Sequence, residues 1–252
     1  MELIVIGAGP AYTDRRGAAG ASYLVRAGDA ALLLDLGQGA FPNLASTIEP
    51  SGLAAVAVSH LHPDHFVDLV PLRHYLRFEF DPPRRVRVLG PAGLADRLDA
   101  LHAHPGFSAA SLDVEQLATA QLIGPFAVEA LPVHHTDESY AIRVSVAGAP
   151  GAPIGPGLVY SGDCGRADDL IPLIRPGDTL LSEASFGPGP VRAGAEHLTS
   201  ADAARAATAG HAARLLLTHV QMGYSRADTL AAAAAVFAGP VQLVTEGDRF
   251  EV

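Results

Sequence analysis

The stretch Ser59-His60-Leu61-His62-Pro63-Asp64-His65 decides the fold prediction, because three imidazoles and one carboxylate lie within its last six residues. An apolar, partly β-branched run over residues 53–59 leads into it and predicts a buried strand. Apolar residues at helical spacing follow over residues 66–76 and predict a helix. The histidine cluster is therefore expected on the turn that leaves a strand and opens a helix.

The side chains of this stretch can converge, because alternate residues of an extended chain share one face. His60, His62 and Asp64 can point the same way, and His65 enters from a second direction. Two imidazoles facing one point, with a carboxylate and an imidazole facing another, suit two adjacent metal ions. Such ligands favour zinc, iron or manganese over calcium. A single histidine near a strand end is usually a surface or hydrogen-bonded residue, whereas this combination is typical of a metal site.

Length, charge and composition narrow the class of protein. The 252 residues fit one large domain or two small ones, and we expect a single domain over residues 1–252. A formal net charge of −10 argues against non-specific binding to long nucleic acid. The sequence has no apolar run of membrane-spanning length and no basic, signal-like start, so we expect a cytoplasmic protein without a membrane partner. A single cysteine, Cys164, excludes an internal disulfide and a cysteine-rich zinc site.

Further polar residues follow the predicted strands along the rest of the chain. They are His134 and His135 after 126–131, Asp163 after 158–161, Glu183 after 178–182, and His219 after 214–218. His197 precedes a predicted helix that opens with capping-box spacing at 199–202. A helix is predicted from Pro91 to about His104, and a turn rich in Gly and Pro is predicted over 148–157. Strands alternate with helices in both halves, which predicts an α/β (α+β) fold: a four-layer αββα sandwich of two sheets between helical layers.

The segment HLHPDH after a hydrophobic strand resembles the HxHxDH signature of the metallo-β-lactamase superfamily. Later segments resemble the ribonuclease Z-like, or phosphodiesterase, branch in the same order: SGD over 161–163, EASF over 183–186, HLT over 197–199 and LLLTH over 215–219. Residues 132–143, PVHHTDESYAIR, differ from the TPGHTPG-type loop of glyoxalase II and many lactonases. The resemblance covers nearly the whole chain and implies the metallo-β-lactamase fold.

The resemblance implies a site with two divalent metal ions, zinc being expected and manganese or iron the alternatives. One ion would be held by His60, His62 and His135, the other by Asp64, His65 and His219, and Asp163 would bridge them. The register H-x(4)-Y-x-x-R, with Tyr140 and Arg143, selects His135 over His134. His134 is then expected to form hydrogen bonds or pack, Cys164 to be a small buried residue, and Asp35 to support the metal-site loop.

The implied function is metal-dependent hydrolysis, since two bound ions lower the pKa of water from about 15.7 to about 7 and make a bridging hydroxide available. His197, assisted by Glu183, is the expected donor of a proton to the leaving alkoxide, and Asp64 is counted with them among the catalytic residues. The first hypothesis for the substrate is a small, anionic phosphodiester such as a cyclic nucleotide.

Three alternatives stay open. A lactone or other ester is the second enzymatic hypothesis. Ribonuclease Z-like RNA processing is disfavoured, because the 27 positions from 136 to 162 leave no room for the protruding arm of those enzymes. Metal binding without turnover would not need His197 and Glu183. The sequence leaves a homodimer open.

Overall fold

The computed structural model describes residues 1–148 and 155–252, and most of the turn expected over 148–157 lies outside these residues. The strands are β1 (Glu2–Gly7), β2 (Ser22–Ala27), β3 (Ala30–Leu34), β4 (Ala55–Ala57), β5 (Val86–Gly90), β6 (Leu112–Gln116), β7 (Ala120–Ile123), β8 (Phe126–Pro132), β9 (Tyr140–Val146), β10 (Leu158–Tyr160), β11 (Thr179–Glu183), β12 (Arg214–Thr218), β13 (Val241–Leu243) and β14 (Arg249–Glu251). The helices are α1 (Ala40–Thr47), α2 (Pro63–Phe66), α3 (Leu69–Phe78), α4 (Leu94–Leu101), α5 (Ser200–Ala209) and α6 (Arg226–Ala234).

The strands form two seven-stranded sheets, ordered β14-β1-β2-β3-β4-β5-β6 and β13-β12-β11-β10-β9-β8-β7. The sheets face each other across a core that includes Tyr23, Phe126 and Tyr160. A second core joins the first sheet to α1, α3 and α4, and a third joins the other sheet to α5. Because a sheet between two cores buries both faces, these contacts confirm the predicted four-layer sandwich.

Local sequence explains where α5 begins. The Thr199 hydroxyl accepts a hydrogen bond from the backbone N–H of Asp202 at 3.1 Å, and the Asp202 carboxylate accepts one from the backbone N–H of Thr199 at 2.9 Å. This is the predicted capping box, which satisfies two backbone donors that the first helical turn leaves free. The cap holds the chain that enters α5, and His197 lies two residues before it.

Several predicted boundaries were wrong. The single helix predicted over 66–76 is two helices, α2 and α3, and Asp68 lies between them. The Asp68 carboxylate accepts a hydrogen bond from the backbone N–H of Phe41 at 2.8 Å, a contact with the start of α1 that no local pattern reveals. The helix predicted from Pro91 to about 104 is the shorter α4, which begins at Leu94.

Sequence reasoning also missed three elements, α1, β6 and β7. The two strands lie at sheet edges, and most of their residues are partly or fully exposed. An edge strand therefore lacks the continuous apolar run that identifies a central strand such as β12. Among the residues that the structure describes, no helix combines the length and the apolar character needed to cross a membrane.

Candidate metal centre

Most candidate residues lie at or just beyond the ends of strands from both sheets, namely β3, β4, β8, β10, β11 and β12. Asp64 and His65 lie in α2, Glu183 is the last residue of β11, and His197 lies in the segment that leads into α5. The ligand atoms form three overlapping groups, each with its atoms within 4.8 Å of one another. The groups are His60, His62, His135 and Asp163; Asp64, His65, Asp163 and His219; and Asp163, Glu183 and His197. The structure thus brings together every residue that the sequence predicted for the site.

Asp163 lies at the centre of all three groups. Its Oδ2 atom is 3.8 Å from Nε2 of His60 and 3.6 Å from Nε2 of His135. Its Oδ1 atom is 3.4 Å from Nε2 of His65 and 3.7 Å from Nε2 of His219. The two oxygens of one carboxylate therefore face two different pairs of imidazoles, the arrangement needed to bridge two ions.

The donor set fits divalent metal ions. Nε2 of His60, Nε2 of His65 and Oδ1 of Asp163 are buried, and none of them has a hydrogen-bond partner within 1–148 and 155–252. A buried polar atom without a partner costs free energy, so such atoms are rare unless a ligand satisfies them. Imidazole nitrogen and carboxylate oxygen are zinc ligands. The three atoms without hydrogen-bond partners are of these two kinds, and they face one another across the site.

Asp35 orients His65. Its buried Oδ2 atom accepts hydrogen bonds from Nδ1 of His65, Oγ of Ser59 and the hydroxyl of Tyr160, all at 2.7 Å. Because a carboxylate only accepts, Nδ1 of His65 carries a proton and Nε2 faces the site. Burial by itself lowers the pKa of His65, but the carboxylates of Asp163 and Asp35 raise this pKa well above its usual value.

Two further histidines are oriented by groups that sequence reasoning missed. Nδ1 of His135 donates to the backbone carbonyl of Glu196 at 2.7 Å, and its Nε2 lies 3.1 Å from Nδ1 of His62. Nδ1 of His219 lies 3.0 Å from Oγ of Ser185. A backbone carbonyl leaves no signal in the sequence, whereas Ser185 belongs to the EASF segment and its position beside Glu183 was visible there.

Glu183 links the candidate ligand His219, through Ser185, to His197. Its Oε2 atom accepts from Oγ of Ser185 at 2.6 Å, so this hydroxyl can in turn accept from His219. Its Oε1 atom accepts from Nδ1 of His197 at 2.9 Å. Burial lowers the pKa of His197, but the hydrogen bond and the charge of Glu183 outweigh this effect and raise the pKa to about 9. Nδ1 of His197 lies 3.8 Å from Oδ2 of Asp163, at the edge of the site.

His134 and Cys164 lie next to the site but belong to none of the three groups. Nδ1 of His134 is 2.7 Å from Oδ2 of Asp169, which gives it the hydrogen-bonding role expected from the sequence. The buried Cys164 thiol donates to the backbone carbonyl of Arg166 at 3.1 Å, and burial raises its pKa to about 12. Cys164 is thus the small buried residue expected from the sequence.

The two sheets and the converging imidazoles and carboxylates define a hydrolase of the metallo-β-lactamase type. The family model described as "Beta-lactamase superfamily domain" matches residues 32–220, and the chain belongs to this superfamily. This confirms the family predicted from the HxHxDH segment and, with it, an enzyme that uses divalent metal.

Comparisons with individual proteins support the same assignment. The chain is similar to the uncharacterized protein ML1173 of Mycobacterium leprae, with 35% identity over 238 residues, 91% of this chain and 81% of that protein. It superposes on the crystal structure of the metallo-β-lactamase-fold protein YhfI of Bacillus subtilis with a TM-score of 0.85, at 26% identity and with 99% of each chain covered. Ribonuclease Z of Mycobacterium marinum is 35% identical over 104 residues, 40% of this chain and 37% of that enzyme. The predicted ribonuclease Z-like branch is thereby confirmed.

Proposed function

We propose that this protein hydrolyses a small phosphodiester at a centre of two divalent metal ions, zinc being the first expectation. His60, His62 and His135 would hold one ion, and Asp64, His65 and His219 the other. The observation that carries the proposal is the placement of Asp163, whose two oxygens face different pairs of imidazoles. When bound, the ions would supply Lewis acidity and lower the pKa of water to about 7.

Residues of the chain orient the imidazole ligands and donate the proton to the leaving group. Asp35 and Ser185 hold the protons on Nδ1 of His65 and His219, which leaves each Nε2 atom free to act as a ligand. Glu183 holds the Nδ1 proton of His197, so the opposite ring nitrogen, Nε2, can pass its proton to the oxygen of a leaving alcohol. A pKa of about 9 keeps His197 protonated at neutral pH, as a general acid requires.

A phosphodiester is preferred over a lactone because the related ribonuclease Z acts on RNA, whose backbone is a phosphodiester. A small substrate is preferred over RNA because the chain has a net charge of −10. Hydrolysis of a lactone or other ester remains the second candidate, since an alkoxide also leaves in that reaction.

The test combines metal analysis with a substrate panel. Purified protein is expected to contain about two metal ions per chain and to hydrolyse bis-(p-nitrophenyl) phosphate but not lactones. Chelation should abolish this activity, and added zinc or manganese should restore it. Asp163→Asn retains the shape of the side chain but offers one oxygen only, so it should lose both metal and activity. Turnover of lactones alone would overturn the choice of substrate, and wild-type metal content in Asp163→Asn would overturn the bridging role.

A further inference from the structure

Two clefts open beside the candidate metal centre and share one wall. The first has a volume of about 440 Å³ and is lined by His62, Arg97 and Glu138 among others. The second has a volume of about 430 Å³ and is lined by His135 and Glu196 among others. Thr136 and Asp137 line both clefts and form the ridge between them. Since Nε2 of His135 lies 3.1 Å from Nδ1 of His62, the clefts meet at the candidate ligands.

This geometry matches the shape of a phosphodiester, which carries one substituent on each of two ester oxygens. With the phosphorus at the metal centre, each substituent can enter one cleft. The charge of the cleft walls then decides which substituents are accepted. The first cleft has the carboxylates of Asp137 and Glu138 and one guanidinium, that of Arg97. The second has the carboxylates of Asp137 and Glu196.

The charged walls are therefore more acidic than basic. The Glu138 carboxylate also accepts a hydrogen bond from the backbone N–H of Ala92 at 2.6 Å, which holds it in the wall. Carboxylates within a few ångströms of a bound substituent repel any further phosphate on it, and water and salt weaken this repulsion only partly over such distances.

We propose that Asp137, Glu138 and Glu196 select the substrate by charge: the site takes a single phosphodiester whose substituents are neutral or positively charged, and it discriminates against substituents that carry another phosphate. This selection rests on the proposed phosphodiesterase function. On the same basis we expect an oligonucleotide, which has a phosphate on each side of the scissile one, to be a poor substrate.

The test uses two chromogenic substrates that differ by one group, thymidine 5′-(p-nitrophenyl phosphate) and the same compound with a 3′-phosphate. At low salt the wild-type enzyme should show a lower kcat/KM for the second compound. Asp137→Asn, on the ridge that both clefts share, should narrow the ratio of the two kcat/KM values by about threefold to tenfold. Glu196→Gln should narrow it as well, and added salt should narrow it in the wild-type enzyme.

Asp29→Asn, in the exposed turn between β2 and β3, is the matched control and should leave the ratio unchanged. Equal kcat/KM for both compounds in the wild-type enzyme, or a ratio that neither site variant changes, would overturn the charge selection while the phosphodiesterase function stands. Turnover of bis-(p-nitrophenyl) phosphate but of neither thymidine compound would overturn this inference alone. Absence of turnover with all three compounds would overturn the proposed function as well.

Discussion

Substitution of Asp35 is the sharpest test of how the fold orients a ligand at the candidate metal centre. Its Oδ2 atom accepts three hydrogen bonds at 2.7 Å, one of them from Nδ1 of His65. Asp35→Asn replaces this carboxylate by an amide of the same shape, and asparagine tolerates the left-handed backbone at this position, where φ is +57°. The substitution therefore changes charge and hydrogen bonding with little change in packing.

The expected loss of metal affinity follows from the hydrogen bond between residue 35 and Nδ1 of His65, because the substitution reverses its direction. An amide NH₂ group in place of Oδ2 donates instead of accepting, so Nδ1 of His65 must become the acceptor and its proton must move to Nε2. That nitrogen lies 3.4 Å from Oδ1 of Asp163, where the proposed metal ion needs an unprotonated ligand. A hydrogen bond to a charged group contributes about 1.5–3 kcal/mol, so restoring the ligating tautomer should weaken metal binding by about 10-fold to 100-fold.

The assay is a competition titration against a chelator of known zinc affinity, with bound zinc counted per chain. Tyr160→Phe is the control, because it removes another donor to Asp35 but leaves the carboxylate and the His65 tautomer in place. Because the lost hydrogen bond also goes to a charged group, this variant should cost about 1.5–3 kcal/mol of folding stability, but it should leave zinc binding close to that of the wild type. If Asp35→Asn binds zinc as tightly as the wild-type protein does, the tautomer argument is refuted.

Substitutions at three other positions separate catalysis, folding and metal binding. His197→Ala should lower kcat for a phosphodiester by about 10²-fold to 10⁴-fold at unchanged metal content, and an unchanged kcat would exclude the proton-donor role. Asp178→Asn weakens a fully buried ion pair with Arg143 at 2.8 Å, so urea unfolding should show a loss of about 3–5 kcal/mol, and wild-type stability would contradict this. Ser185→Ala should weaken zinc binding about tenfold by freeing Nδ1 of His219, and Ser185→Thr should restore it; equal affinities in the two variants would count against this link.

Much of the site was predictable because its ligands lie in short segments of defined chemistry. The cluster at 60–65 combines imidazoles and a carboxylate between a buried strand and a helix, and these types of side chain at this spacing favour few uses other than metal binding. The position of Asp163 and His219 directly after apolar strands was equally visible, since a buried strand produces its own run of apolar residues. The family and the αββα architecture followed from the order of these segments.

Only the tertiary structure decided how the site is oriented, because the deciding contacts join residues far apart in the chain. The carbonyl of Glu196 reaches His135 across 61 positions, and Tyr160 reaches Asp35 across 125. Any residue type presents the same backbone carbonyl, so its contact with His135 has no signature in the sequence. The two oxygens of Asp163 acquired different partners only when the two sheets packed face to face. Residue types and their periodicity therefore determined which groups could bind metal, whereas packing decided which atom of each group faces the centre.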